Sequence, residues 1–168
     1  MGSDKALFLD RDGIINIERG DYTWRVGDFL IKDGIIDLIT RARSLEYLVI
    51  VITNQAGIAK GLYNHSDVLA CHRYFQEQSG NSIDALYYAP GHPSVSESLS
   101  RKPGSLLFEK AIARFDIDPF QSWMIGDKER DLIPARKLGI STILLSTRNS
   151  VYADYHIDHL DQAAKIIT

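Results

Sequence analysis

Five short apolar runs, at Leu7–Leu9, Leu48–Ile52, Ile83–Tyr88, Ser122–Ile125 and Ser141–Leu145, recur along the 168 residues and are rich in branched side chains. Near-continuous runs of this kind suit strands covered on both faces, as in a central parallel sheet. Most of the intervening segments carry apolar residues at helical spacing. Ile35, Leu38, Ile39, Ala42 and Leu45 form one stripe behind a candidate cap at Asp33, and Leu107, Phe108, Ala111, Ile112 and Phe115 form another. Ser66 reads as the cap of a second helix and Pro103 as a first-turn residue of the third; Ala135, Leu138 and Gly139 close a fourth, and a last helix follows Asp158. The expected fold is α/β, a Rossmann-like three-layer α/β/α arrangement around a central parallel sheet.

No Pro/Gly/Ser-rich or single-sign stretch divides the chain, so residues 1–168 read as a single domain without an insertion large enough for a cap domain. The net charge of −3 provides no broad basic field for nucleic acid, and phosphate would have to be held by a few placed groups. The single cysteine, Cys71, excludes an internal disulfide and fits a packing role in a reducing compartment. No signal-peptide pattern or membrane-length apolar run is present, and the opening Met1-Gly2-Ser3-Asp4-Lys5-Ala6 matches a myristoylation start only as far as Gly2. A cytoplasmic, membrane-free monomer is the expectation.

The residues that follow the strands carry the chemistry. The first run gives way to Asp10-Arg11-Asp12-Gly13, two carboxylates two residues apart where a buried strand should end. Taken alone this is also a good turn sequence, since Asp and Gly both favour turns. The second run ends in Thr53-Asn54-Gln55, a hydroxyl followed by a glycine-containing loop suited to phosphoryl oxygens, or simply a capped loop. Arg101-Lys102 precede the expected third helix, where cations oppose the helix dipole and an anionic ligand would explain them. The fourth run ends in Gly126-Asp127-Lys128-Glu129-Arg130-Asp131, and the four-residue step turns Asp131 back toward Asp127. An open parallel sheet gathers all four ends at one edge. Oxygen ligands for a hard cation, a lysine for phosphoryl oxygens and a free carboxylate nucleophile together read as phosphoryl transfer.

In these four motifs the whole chain resembles the haloacid dehalogenase-type phosphatases. The longer strings Asp10-Arg-Asp-Gly-Ile-Ile-Asn16, Thr53-Asn-Gln-Ala-Gly-Ile-Ala-Lys-Gly61, Arg101-Lys-Pro103 and Met124-Ile-Gly-Asp-Lys128 resemble the D-glycero-D-manno-heptose 1,7-bisphosphate 7-phosphatase and histidinol phosphatase family. The resemblance implies an Mg2+-dependent phosphomonoesterase acting on a small phosphorylated sugar. Asp10 would be the nucleophile and Asp12 the general acid and base, with Thr53 and Lys102 holding the phosphoryl group. Asp10, the backbone carbonyl of Asp12 and Asp127 would bind the metal. Asp131 would orient the lysine or a metal-bound water, and Asn54, Arg101 and Lys128 would make substrate or loop contacts. Lys128 is equally readable as a surface partner of Glu129 or Asp131.

One departure stands out. Members of that family often carry a zinc loop with cysteines ahead of Arg-Lys-Pro, whereas this chain has Ala89-Pro-Gly-His92-Pro93 and Ser98-Leu-Ser100. Without thiolates no structural zinc is expected, and His92 is a lone imidazole readable as turn structure or as a substrate contact. Two segments are left to shape specificity, a flap at about 13–28 and a loop at about 89–102. The flap composition fits a small hairpin and a packed surface loop equally well. Heptose bisphosphate is the first substrate implied; histidinol phosphate, a polynucleotide 3'-phosphate and a non-catalytic phosphate-binding module are the alternatives.

Overall fold

In a computed structural model that describes residues 4–168, six strands form one parallel sheet in the order β3-β2-β1-β4-β5-β6. The strands are β1 (Lys5–Leu9), β2 (Tyr47–Asn54), β3 (Ala85–Ala89), β4 (Trp123–Gly126), β5 (Ser141–Leu145) and β6 (Tyr155–Ile157). The helices are α1 (Ile35–Ser44), α2 (His65–Ser79), α3 (Leu106–Phe115), α4 (Glu129–Lys137) and α5 (Leu160–Ile166). Residues 1–3, which include the Gly2 of the partial myristoylation match, lie outside the described residues.

The two-residue period of β1 builds both core layers. Leu7 and Leu9 face a cluster with Ile35, Leu38 and Ile39 of α1, Cys71 and Phe75 of α2, and Leu160 of α5. Ala6 and Phe8 face the opposite cluster with Leu107, Phe108 and Ala111 of α3 and Leu132 and Ala135 of α4. The Phe8 and Phe108 rings lie 5.3 Å apart, a tilted pair that adds about 0.5–1.5 kcal/mol beyond its buried area. The α/β/α layers are therefore those expected, and among the described residues no large cap domain interrupts them.

Several local expectations differ. The sixth strand carries no apolar run because it is a short edge strand with Tyr155 and His156 exposed and only Ile157 buried. Asn64, not Ser66, caps α2: its side chain accepts from the Asp67 N–H while the Asp67 carboxylate accepts from the Asn64 N–H. Gly34, not Asp33, stands at the start of α1. Pro103 precedes α3 rather than opening it, so Lys102 is not a helix-terminal cation. Residues 13–28 form no regular hairpin, only isolated bridges of Asp12 with Asn16 and Asn16 with Ile31 and a short 3-10 turn at Val26–Asp28.

From β1 the chain runs to β2 and β3 on one side, then returns to place β4, β5 and β6 on the other. The strand order therefore reverses between β1 and β4. Crevices outside the carboxyl ends of parallel strands at such a point are where open α/β sheets bind ligands. Among the described residues no helix is long and apolar enough to cross a membrane.

Candidate active site

Asp10 follows the last residue of β1, and its backbone N–H donates to Ile125 O of β4 at 3.1 Å, so the reversal point holds this carboxylate directly. Lys102 Nζ donates to Asp10 Oδ1 at 2.9 Å and to Ile52 O at 2.7 Å, and pairs with Asp131 Oδ1 at 2.7 Å. The ammonium is 1% exposed. Burial works to lower its pKa, but the Asp10 and Asp131 charges beside it outweigh this and hold it above its ordinary value. Lys102 is thus a buried, paired cation beside Asp10 rather than a free helix-end charge.

Asn54 fixes this lysine. Its Oδ1 accepts from the Lys102 N–H at 2.9 Å and its Nδ2 donates to Lys102 O at 3.1 Å. Both ends of an amide expected to reach substrate are spent on the backbone of the lysine loop, although Asn54 still lines the cavity above it.

The carboxylates of Asp10, Asp127 and Asp131 each bring an oxygen within 4.8 Å of the others. Burial first, and then the negative charge of Asp131, raise the Asp10 pKa against the opposing pull of Lys102. Asp127 is pushed up to about 7 by burial and by the charges of Asp10 and Asp131. Its Oδ1 is buried with no hydrogen-bond partner. Three acids balanced by one ammonium, with an orphaned buried oxygen among them, fit a hard divalent cation. Asp131 belongs to this cluster as well as to the lysine, and its other oxygen accepts the Lys128 N–H at 3.2 Å across the first turn of α4. Gly13, at φ 91°, makes room: a Cβ there would collide with the Asp127 carboxylate.

Asp12 points elsewhere. Its Oδ1 accepts from Arg11 at 3.0 Å and Asn16 at 2.9 Å, and its Oδ2 accepts from Gln55 Nε2 at 3.2 Å. Gln55 also donates to Thr53 Oγ1 at 3.1 Å and accepts from the Tyr63 hydroxyl at 2.8 Å. Tyr63 in turn lies against Tyr22 and Trp24 of the 13–28 segment. A chain of contacts therefore joins the flap to Asp12. Gln55 lies within the Thr53–Gly61 string, where spacing alone assigns it no role; Tyr63 lies eight residues further on and carries no sequence signal.

Curated relatives match this chain over most of their length. The chain is 34% identical over 160 residues to D-glycero-beta-D-manno-heptose-1,7-bisphosphate 7-phosphatase of Haemophilus ducreyi, covering 89% of this chain and 87% of that protein. It is 38% identical over 151 residues to D-glycero-alpha-D-manno-heptose-1,7-bisphosphate 7-phosphatase of Burkholderia mallei, covering 84% and 79%. The chain belongs to the HAD-like phosphatases. The HAD-hydrolase-like family matches residues 99–164. A crystal structure of D,D-heptose 1,7-bisphosphate phosphatase from B. bronchiseptica, complexed with magnesium and phosphate, superposes with a TM-score of 0.87. The two chains are 23% identical, with 96% of this chain and 97% of that one covered, and share the fold.

As a HAD-like phosphatase this chain is a phosphomonoester hydrolase, and its crevice is a cavity of about 610 Å³, large enough for a phosphorylated sugar. Asp10, Asp12, Thr53, Asn54, Arg101, Lys102 and Lys128 all line it, and Asp127 and Asp131 join Asp10 beneath. Lys128 lies 3.5 Å from both Glu18 and Asp127 rather than pairing with Glu129. The 89–102 loop is tied by His92 Nδ1 to Ser94 Oγ at 2.6 Å, by the Ser98 and Ser100 hydroxyls at 2.7 Å, and by Arg101 donating to Gly91 O at 3.2 Å. His92 lines the cavity from this loop.

Proposed function

We propose that this phosphatase removes the 7-phosphate of D-glycero-D-manno-heptose 1,7-bisphosphate through an aspartyl-phosphate on Asp10. The observation that carries the reading is the Asp10 carboxylate, held by Lys102 at 2.9 Å at the sheet reversal with a second acid, Asp12, two residues on. The curated relatives of both anomeric names support the substrate.

In the first step a carboxylate oxygen of Asp10 attacks phosphorus and the bond from phosphorus to the sugar oxygen breaks. Protonated Asp12 gives its proton to that oxygen, which leaves as an alcohol. Ionised Asp12 then takes a proton from water as the resulting hydroxide attacks the aspartyl-phosphate, freeing phosphate and the Asp10 carboxylate. Arg11, Asn16 and Gln55 fix the direction of the Asp12 carboxylate for this exchange. Thr53 and Lys102 bind the phosphoryl oxygens, and Asn54 keeps Lys102 in place.

Mg2+ would be held by Asp10, the backbone carbonyl of Asp12 and Asp127, with Asp131 orienting Lys102 beside it; when bound it neutralises charge on the transferring phosphoryl group. Arg101 and Lys128 line the cavity and would contact the substrate there. The same reading makes the protein a cytoplasmic monomer of one domain, a setting that the buried free thiol of Cys71 suits.

The test is a phosphate-release panel with both anomers of heptose 1,7-bisphosphate, histidinol phosphate and a 3'-phosphorylated oligonucleotide, each with and without Mg2+. Mg2+-dependent release from a heptose bisphosphate, abolished by Asp10→Asn, is the expected result. Faster release from histidinol phosphate or the oligonucleotide would overturn the substrate, and equal release after Asp10→Asn would overturn the mechanism.

A further inference from the structure

Arg11 stands between the two acids of the first motif, yet it does not line the cavity that both of them reach. It is 4% exposed and lies beside Ile15, Phe29, and Val68 and Phe75 of α2. Its Nη2 donates to Asp12 Oδ1 at 3.0 Å and also to Thr23 O in the 13–28 flap, and its Nε donates to Asp12 Oδ1 at 3.3 Å. Thr23 itself lines the cavity. One nitrogen thus holds both Asp12 and a flap residue over the site. Among the described residues Asp12 is the only ion-pair partner of Arg11, and its Nη1 is buried with no hydrogen-bond partner.

Stability does not explain this placement. A buried guanidinium loses its hydration, one carboxylate recovers little of that loss, and apolar side chains of similar volume often do as well or better. Nor can Arg11 exchange a proton with substrate, because it only donates hydrogen bonds, stays charged and lies outside the cavity. A planar fork can fix direction. The Asp12 side chain, 26% exposed, is the member of the pair that reaches the cavity, so its heading is what Arg11 controls. The fork is rigid, and the flap carbonyl that holds Nη2 therefore helps to set where Nε and Nη2 point Asp12. Gln55 reaches the other oxygen of the same carboxylate as a neutral amide and has no contact with the flap backbone.

We propose that Arg11 is a positioning residue that aims Asp12 at the leaving-group oxygen and makes that aim depend on a seated flap, through Thr23 O. This rests on the reading of Asp10 as nucleophile and Asp12 as general acid, and adds what directs the acid. It does not depend on which sugar leaves.

The experiment compares heptose 1,7-bisphosphate with phenyl phosphate and p-nitrophenyl phosphate, all with Mg2+. The two aryl esters have nearly the same shape, but p-nitrophenolate leaves without needing a proton. The quantity measured is kcat/KM, which senses only the steps up to departure of the leaving group. Ratios between substrates are taken within one sample, so they do not depend on the fraction of a variant that folds. Arg11→Gln is expected to lower kcat/KM by about 10–100-fold on heptose bisphosphate and by less than about threefold on p-nitrophenyl phosphate, with phenyl phosphate between them, as loss of an aimed general acid implies. Arg11→Lys, which keeps the charge but not the fork, should recover part of the loss. Arg11→Gln added to Asp12→Asn should cost nothing further. Amide hydrogen exchange over residues 19–28, which needs no turnover, should quicken in Arg11→Gln. Equal losses on all three substrates, a further loss in the double variant, or unchanged flap exchange each overturns the inference. Failure of the acid reading would appear instead as equal losses on all three substrates in Asp12→Asn itself. Failure of the heptose reading alone would appear as no release from the heptose compound while the aryl pair keeps its Arg11-dependent ratio.

Discussion

Lys102 Nζ lies 2.7 Å from Asp131 Oδ1, and both side chains are 1% exposed. The same ammonium donates to Asp10, so one buried cation stands between two buried acids. Removing one partner of a buried charged group leaves the others unmatched, at a cost of about 3–5 kcal/mol. Lys102→Met should therefore destabilise the metal-free protein by roughly that amount at pH 8, and by less at pH 5, because burial already raises the Asp10 pKa and its protonation relieves part of the repulsion. Urea denaturation in the presence of a chelator reads the effect; equal losses at both pH values would contradict it.

Asp127 has its pKa raised to about 7 by burial and by its acidic neighbours. The folded state therefore holds this proton more tightly than the unfolded chain. The associated stability is fully present below the unfolded value of 3.8 and is lost as pH rises through about 7. In metal-free thermal melts, the difference between wild type and Asp127→Asn should shift against the wild type from pH 5 to pH 8. Added Mg2+ should stabilise the wild type most at the upper end, where no proton competes for the carboxylate. A pH-independent difference would refute this assignment.

Gly13 leaves space that the Asp127 carboxylate fills. Gly13→Ala puts a Cβ into that space and strains a backbone at φ 91°. The expected outcome is Mg2+ affinity weakened by about 10–100-fold, as for other displaced ligand supports, with activity partly restored at high Mg2+. Titration of phosphate release against Mg2+ checks it; an unchanged half-saturation would show that Asp127 tolerates the displacement.

Tyr63 donates to Gln55, and Gln55 donates to Asp12. Tyr63→Phe leaves the buried Gln55 carbonyl without its donor, which costs about 1–3 kcal/mol and frees the amide that steers Asp12. We expect kcat to fall with little change in KM, because Tyr63 does not line the cavity. A change confined to KM would place Tyr63 in substrate binding instead.

Much of the fold was legible because it rests on local periodicity. Ala6, Leu7, Phe8 and Leu9 are all buried, on alternate faces, as a central parallel strand requires. The short edge strand β6 was not legible, since Tyr155 and His156 face solvent and leave no apolar run. Capping was legible only to within a residue or two: Asn64 and Ser66 are both good caps, and the reciprocal bond with Asp67 favours Asn64.

For the site, the sequence by itself determined the inventory: which acids, hydroxyl and lysine terminate the strands, and that a parallel sheet must gather them at one edge. Only the tertiary structure decided how each group is engaged. Asn54 clamps the Lys102 backbone, Asp131 shares in the acidic cluster, Asp12 turns toward Gln55, and the buried Arg130 Nε has no hydrogen-bond partner among the described residues. The physical reason is that strand and helix periodicity act over neighbouring residues, whereas charge compensation and hydrogen-bond satisfaction depend on distances between loops far apart in the chain, such as Lys102 to Asn54 and to Asp10, 48 and 92 residues apart.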